Sequence, residues 1–159
     1  MPFLILILTT STLSLESTNN SCLTVSLRQR FSVGLTKRFA NEGVVSNAVM
    51  PGVIFTNLQR HMEEGEMTRR GWADKDGKMI LKTKSIEAGA STSVWAAVSP
   101  DLEGKGGLYL EECTISKEAA NMQEVFAKSF GYLSYAMDHV SVDKLWTLSE
   151  DLLKQHQPK

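Results

Sequence analysis

The sequence predicts an α/β fold in one domain, and three stretches carry that expectation. Leu27, Phe31, Leu35 and Phe39 recur every fourth residue, which lays one apolar stripe along a helix over 27–41 of about three to four turns. "VVSNAVM" (44–50) is a short β-branched run that starts directly after Asn41-Glu42-Gly43, where Gly43 can take the left-handed conformation that ends a helix. A second helical pattern over 86–98 leads through a Pro- and Gly-rich loop into the strand-like "LYLEECTI" (108–115). Helix followed closely by strand, twice, points to helices packed on a partly parallel sheet.

The elements follow in order. "MPFLILILTTSTLSL" has an aliphatic run from Phe3 to Leu8 bounded by Thr and Ser, which fits a buried parallel strand. It lacks the basic first region of a signal peptide and is too short to span a bilayer. A secretory or membrane-associating segment stays open as the alternative. Asn19-Asn20-Ser21 matches a glycosylation sequon, which matters only in the secretory pathway. The Ser, Thr and Asn content of 9–22 reads as loop. Pro51 cannot donate a ladder hydrogen bond and should end the 44–50 strand. Residues 57–83 are charged and punctuated by glycine, an excursion with one short helix. Ser85 is a fit N-cap, with Glu87 favourable in the first turn. In that helix Ile86, Ala90, Val94, Ala97 and Val98 share one side, and Gly89 with Ala90 would permit close approach to a sheet. Residues 117–140 read as irregular and partly helical. Ser141 should cap a last helix over 142–155, whose apolar face holds Val142, Leu145, Trp146, Leu148, Leu152 and Leu153. Phe31, Leu35, Phe39, Val94, Leu145 and Trp146 are the expected core.

Composition narrows the function. A chain of 159 residues with 42% apolar and 22% charged residues can bury a core of ordinary globular proportions. A net charge of -1 without a basic block argues against nucleic acid as a partner. Cys22 and Cys113 form neither a disulfide framework nor a metal-ligand pair, and His61, His139 and His156 are scattered, so no zinc site is expected. The cytoplasm is the expected compartment.

The segments "LTKRFANEGVVSNAVMPGVIFTNLQRHM", "SIEAGASTSVWAAVSPDLEGKGGLYLEEC" and "LWTLSEDLL" together resemble, in order and spacing, the C-terminal half of the short-chain dehydrogenase/reductase family. Within it they look most like the retinol-dehydrogenase and WW-domain-oxidoreductase group. The resemblance divides the chain into a divergent segment (1–26), the C-terminal half of a Rossmann-type domain (27–155) and a tail (156–159). It implies a partial, doubly wound parallel sheet lacking its N-terminal cofactor-binding strands. It also implies NAD or NADP as cofactor and a small alcohol or carbonyl compound, apolar and retinoid- or steroid-like, as substrate. Pro51 and Gly52 would then turn the chain over the nicotinamide, the Val53 backbone would meet the carboxamide, and the Thr56 hydroxyl would contact carboxamide or phosphate oxygen. The residue chemistry agrees, since glycine lets backbone approach a ligand and threonine both donates and accepts. From spacing alone, the stretch reads first as a plain strand-to-helix turn with Thr56 as the N-cap.

Three family elements are not recognisable upstream of Phe31. No glycine-rich phosphate loop is present, because Gly34 is the first glycine. The tyrosine and lysine of the family's Tyr-x-x-x-Lys motif fall near Ser21 and Val25, which supply neither a phenol nor a charge to tune it. A catalytic serine could be sought only among Ser11 to Ser17. A truncated oxidoreductase, inactive alone, is therefore expected. The alternative is a non-catalytic fragment acting through protein interaction, with an exposed sheet edge as its means of association.

Overall fold

The structure, a computed structural model, describes residues 4–9, 18–56, 65–69, 72–80, 83–128 and 130–156. Strand β1 (Leu4–Thr9) runs parallel to β2 (Val44–Met50), in register from Leu4↔Val44 to Thr9↔Val49. On its other side β2 takes the short parallel strand β3 (Tyr109–Glu111), starting at Ala48↔Tyr109. β4 (Thr114–Ile115) returns antiparallel to β3, so the order is β1-β2-β3-β4 and the sheet is mixed. The aliphatic run near the N-terminus is thus a strand. The expected 108–115 strand is interrupted, because Glu112 and Cys113 both adopt positive φ (48° and 55°) and reverse the chain.

Residues 45–49 of β2 are all buried, as befits a strand covered on both faces. Ser46 meets helix α1 (Thr18–Phe39) through a hydrogen bond to Ser32. Val49, of opposite parity, joins Ala96 of α3 (Ile86–Val98), Leu102 and Leu110 in the core, with Trp95 and Leu108 packed around them. Side chains of opposite parity leave a strand on opposite faces, so α1 and α3 cover opposite sides of the sheet, a doubly wound arrangement.

α1 begins at Thr18 rather than near residue 27, inside the stretch whose composition suggests a loop. Threonine and asparagine suit the entrance of a helix as well as a turn. Its end follows expectation: Gly43 has φ 81° and donates its N–H to Ala40 O at 3.0 Å. Ser26, Gln29, Ser32 and Val33 of α1 are buried; Ser32 faces the sheet, Gln29 Nε2 donates to Met137 Sδ at 2.9 Å, and Thr36 Oγ1 both accepts from Ser46 N–H and donates to Ser46 O, at 3.0 Å each. Phe31 and Phe39 belong to another face, which meets Trp146 of α5 (His139–Gln155) with ring centroids 5.5 and 6.0 Å apart. Gly34 permits this contact, since a Cβ there would lie 3.1 Å from the Trp146 ring.

The expected core is accordingly corrected. Phe31, Leu35, Phe39, Leu145 and Trp146 are half-buried between the two helices, and Val94 is 58% exposed. On α3 the side carrying Ile86, Ala90, Val94, Ala97 and Val98 faces outward, and Gly89, Thr92 and Ala96 face inward. Small residues let this helix lie close to the sheet, which outweighs the burial its larger aliphatics would gain. Ser85 caps it as expected, accepting from Ala88 N–H at 3.2 Å. α5 starts earlier than expected, at His139, with Asp138 as its cap, accepting from Ser141 N–H at 2.9 Å. A carboxylate is favoured there because it also meets the positive end of the helix dipole. On α5 Val142 is buried, while Leu148, Leu152 and Leu153 are exposed.

The 57–83 excursion holds α2 (Glu66–Arg69), and 117–140 holds α4 (Met122–Lys128) and a 3-10 turn, Ser134–Met137. Among the described residues no helix is long and apolar enough to cross a membrane.

Candidate functional site

In sheets of this kind, ligands bind outside the carboxyl ends of the strands. Those ends here are Met50, leading into Pro51-Gly52-Val53-Ile54, and Glu111, leading into Glu112-Cys113. Gly52 has φ 95°, so the turn is built for glycine. Lys84, on the residue before the α3 cap, covers it: a Cβ on Gly52 would lie 3.0 Å from Lys84 Cε and 3.2 Å from Nζ. The Lys84 N–H donates to Val53 O at 2.9 Å, and Ile54 pairs with Lys84 in an isolated parallel bridge. Ile54 then seats its side chain on Gly89, where an added Cβ would come within 2.1 Å of Ile54 Cδ1. Phe55 packs edge-on to Trp72 at 6.2 Å.

The Lys84 ammonium forms an ion pair with Glu112, which ties the β2 turn to the β3–β4 turn. Its neighbour Glu111 is buried at the end of β3 and accepts from Ser116 Oγ and, at 3.0 Å, from Gly131 N–H. Burial pushes the Glu111 carboxyl above the usual carboxylate range, with the Ser116 and Gly131 donors working against that rise. The Cys113 N–H donates to Thr92 Oγ1 at 3.2 Å, which fixes this end of the sheet to α3. Asn47, fully buried on β2, donates to Lys105 O at 3.1 Å and accepts from Leu108 N–H at 3.0 Å.

The structure gathers Pro51, Gly52 and Val53 at the carboxyl end of the central strand. Thr56 is exposed at the limit of the described segment, and the expectation that it caps a helix falls on residues from 57 onward, outside the described residues. Positions 21 and 25 fall one turn apart in α1, and Ser11 to Ser17 lie outside the described residues. Sequence reasoning missed Lys84, Glu111, Glu112 and Asn47. The paired acids in the middle of the expected 108–115 strand were a usable signal for two of them.

The donor set at the turn suits a carboxamide. Val53 O is engaged by Lys84, whereas the Val53 N–H has no hydrogen-bond acceptor among the described residues. A lone N–H beside a glycine at this point of the sheet can be given to a carbonyl oxygen of a ligand.

Together the crossovers and the turn define a partial Rossmann-type α/β unit. The chain is 37% identical over 125 residues to a "Probable oxidoreductase" of Streptomyces lividans, covering 77% of this chain and 41% of that protein. It is 35% identical over 116 residues to the short-chain dehydrogenase/reductase prx1 of Penicillium roqueforti, covering 73% of this chain and 32% of that protein. It is 30% identical over 128 residues to the WW domain-containing oxidoreductase of Pongo abelii, covering 79% and 25% respectively. Over these matched residues the chain belongs with the short-chain dehydrogenase/reductases. It spans about two fifths of the length of the Streptomyces relatives. No family model and no solved structure matches it.

Proposed function

We propose that residues 27–155 are the C-terminal half of an NAD- or NADP-dependent oxidoreductase domain acting on an alcohol or carbonyl group of an apolar, retinoid- or steroid-like substrate. Pro51, Gly52, Val53 and Thr56 would hold the carboxamide end of the cofactor. The observation that supports this most is the Val53 N–H, which has no acceptor among the described residues, beside Gly52 at the carboxyl end of β2. When bound, the nicotinamide supplies or accepts the hydride. This chain's contribution is to orient the carboxamide through one N–H and one hydroxyl.

The 159-residue chain by itself is not expected to complete the reaction. Ser21 and Val25 stand where the family has its proton donor and the lysine that tunes it, and assistance of that kind is worth roughly 10²–10⁴-fold. Positioning of reactants can contribute on the order of 7–11 kcal/mol of a barrier. Hydrogen bonds from Val53 and Thr56 contribute about 1 kcal/mol each, too little to anchor a dinucleotide lacking a phosphate loop. The test is calorimetry of the purified chain with NAD and NADP, alongside NAD(P)H turnover with retinal, a ketosteroid and simple aldehydes. Neither micromolar affinity nor turnover is expected; micromolar binding of either dinucleotide would overturn the claim of inactivity.

A further inference from the structure

We infer that Lys84 is a positioning residue that holds the Gly52–Val53 turn from both sides, its stem over Gly52 and its N–H on Val53 O. The inference rests on the assignment of the Pro51–Thr56 segment to a nicotinamide carboxamide.

Three contacts converge through this one residue. Its main-chain N–H holds Val53 O at 2.9 Å, which fixes the Val53–Ile54 peptide and so anchors the far side of the Gly52–Val53 peptide that carries the Val53 N–H. Its aliphatic stem lies over Gly52, so close that no side chain fits there, and thereby limits the freedom that glycine at φ 95° would otherwise bring to the turn. Its ammonium is drawn to Glu112 across the sheet end, with side-chain exposures of 21% for Lys84 and 57% for Glu112. The pair spans two turns that nothing in the strand ladder joins, since β2 and β3 pair only from Ala48 to Met50. Lys84 therefore acts on a ligand at Val53 through the turn it holds. The Glu111 carboxylate nearby does not compete for the ammonium by a hydrogen bond, being directed to Ser116 and Gly131.

The test uses the ligand-free 159-residue chain and amide hydrogen exchange. The Lys84 N–H reports opening of the Val53 contact, and the Ala48 N–H, bonded to Leu108 O at 2.9 Å, reports the sheet. E112Q should speed exchange at Lys84 about twofold to fivefold, the span of a partly exposed ion pair. K84A, which also removes the stem, should speed it on the order of tenfold. K84R should restore protection, and Ala48 should stay unchanged throughout. If K84A does not fold, E112Q alone decides, because Glu112 is exposed. Unchanged exchange at Lys84 in E112Q, or equal acceleration at Lys84 and Ala48, overturns the inference. A separate arm titrates the wild-type chain with millimolar nicotinamide mononucleotide and follows the Val53 and Thr56 amide shifts. No movement there sinks the carboxamide assignment while leaving the exchange result for Lys84 intact.

Discussion

Ile54 and Gly89 should behave as one unit, and a double-mutant cycle tests it. In G89A the new methyl would lie 2.1 Å from Ile54 Cδ1 and 2.6 Å from Cγ1, so Ile54 must leave its seat. Overpacking of this kind costs about 1–3 kcal/mol. Alanine in place of glycine inside a helix returns about 0.8–1 kcal/mol, so G89A should destabilise by about 0.5–2 kcal/mol. In an I54A background only the Cβ remains, 3.7 Å from the new methyl and in ordinary contact. There G89A should stabilise by about 0.8–1 kcal/mol, the helix-propensity gain alone. The sign thus reverses, and the coupling energy is the overpacking cost itself, about 1–3 kcal/mol. Urea unfolding of the four proteins measures it. Additivity within about 0.3 kcal/mol would refute the seating of Ile54 on α3, and with it the rigid support of the candidate turn.

Other outcomes follow from the same structure. Replacing Asn47 by leucine should destabilise by about 1–3 kcal/mol, because it strands Leu108 N–H and Lys105 O inside the protein; a change under 0.5 kcal/mol in urea melts would count against that bridge. W146A should cost about 2–4 kcal/mol by emptying the space between Phe31, Phe39 and Arg38, whose guanidinium lies 4.4 Å over the ring, and an F31A/W146A pair should fall short of additivity. Glu111 gives a pH signature. Its folded carboxyl holds a proton more readily than the unfolded one, so its stabilisation is full at acid pH. That stabilisation is lost as pH rises through the ordinary carboxylate value to the raised folded one. E111Q, which still accepts from Ser116 and Gly131, should flatten that decline, and an unchanged slope of stability against pH would contradict it.

Much of the fold was legible because local signals and global packing agree there. Gly43, Pro51 and Ser85 end or start their elements by backbone chemistry that no tertiary contact overrides, and Val44–Met50 lies on the sheet as its β-branched run implies. The apolar stripes were legible as helices but not as core. In α3 the inward face was chosen by size, with Gly89, Thr92 and Ala96 against the sheet. In α1 the sheet takes Ser32 and Thr36 while the phenylalanines go to α5. A periodicity count weighs hydrophobicity and cannot see that a second helix competes with the sheet for the aromatic face. The site divides in the same way. Pro51 and Gly52 were readable as a turn at the end of the strand, and the resemblance adds a ligand for it only as an expectation. Lys84 and Glu112 were not, because their pairing depends on how far apart the ends of β2 and β3 come to lie.

The parallel pairing of β1 has a consequence in time. A hairpin can close as soon as it is made, but Leu4 must wait for Val44, and Ala48 for Tyr109. With synthesis at roughly 5–20 residues per second, "LILILT" stands ahead of its partner strand for about 2–8 s. It is an uncharged run without proline, the kind of segment that pairs with its like when left exposed. Yield of native chain should therefore depend on what shields these six residues during synthesis as much as on the stability of the finished sheet.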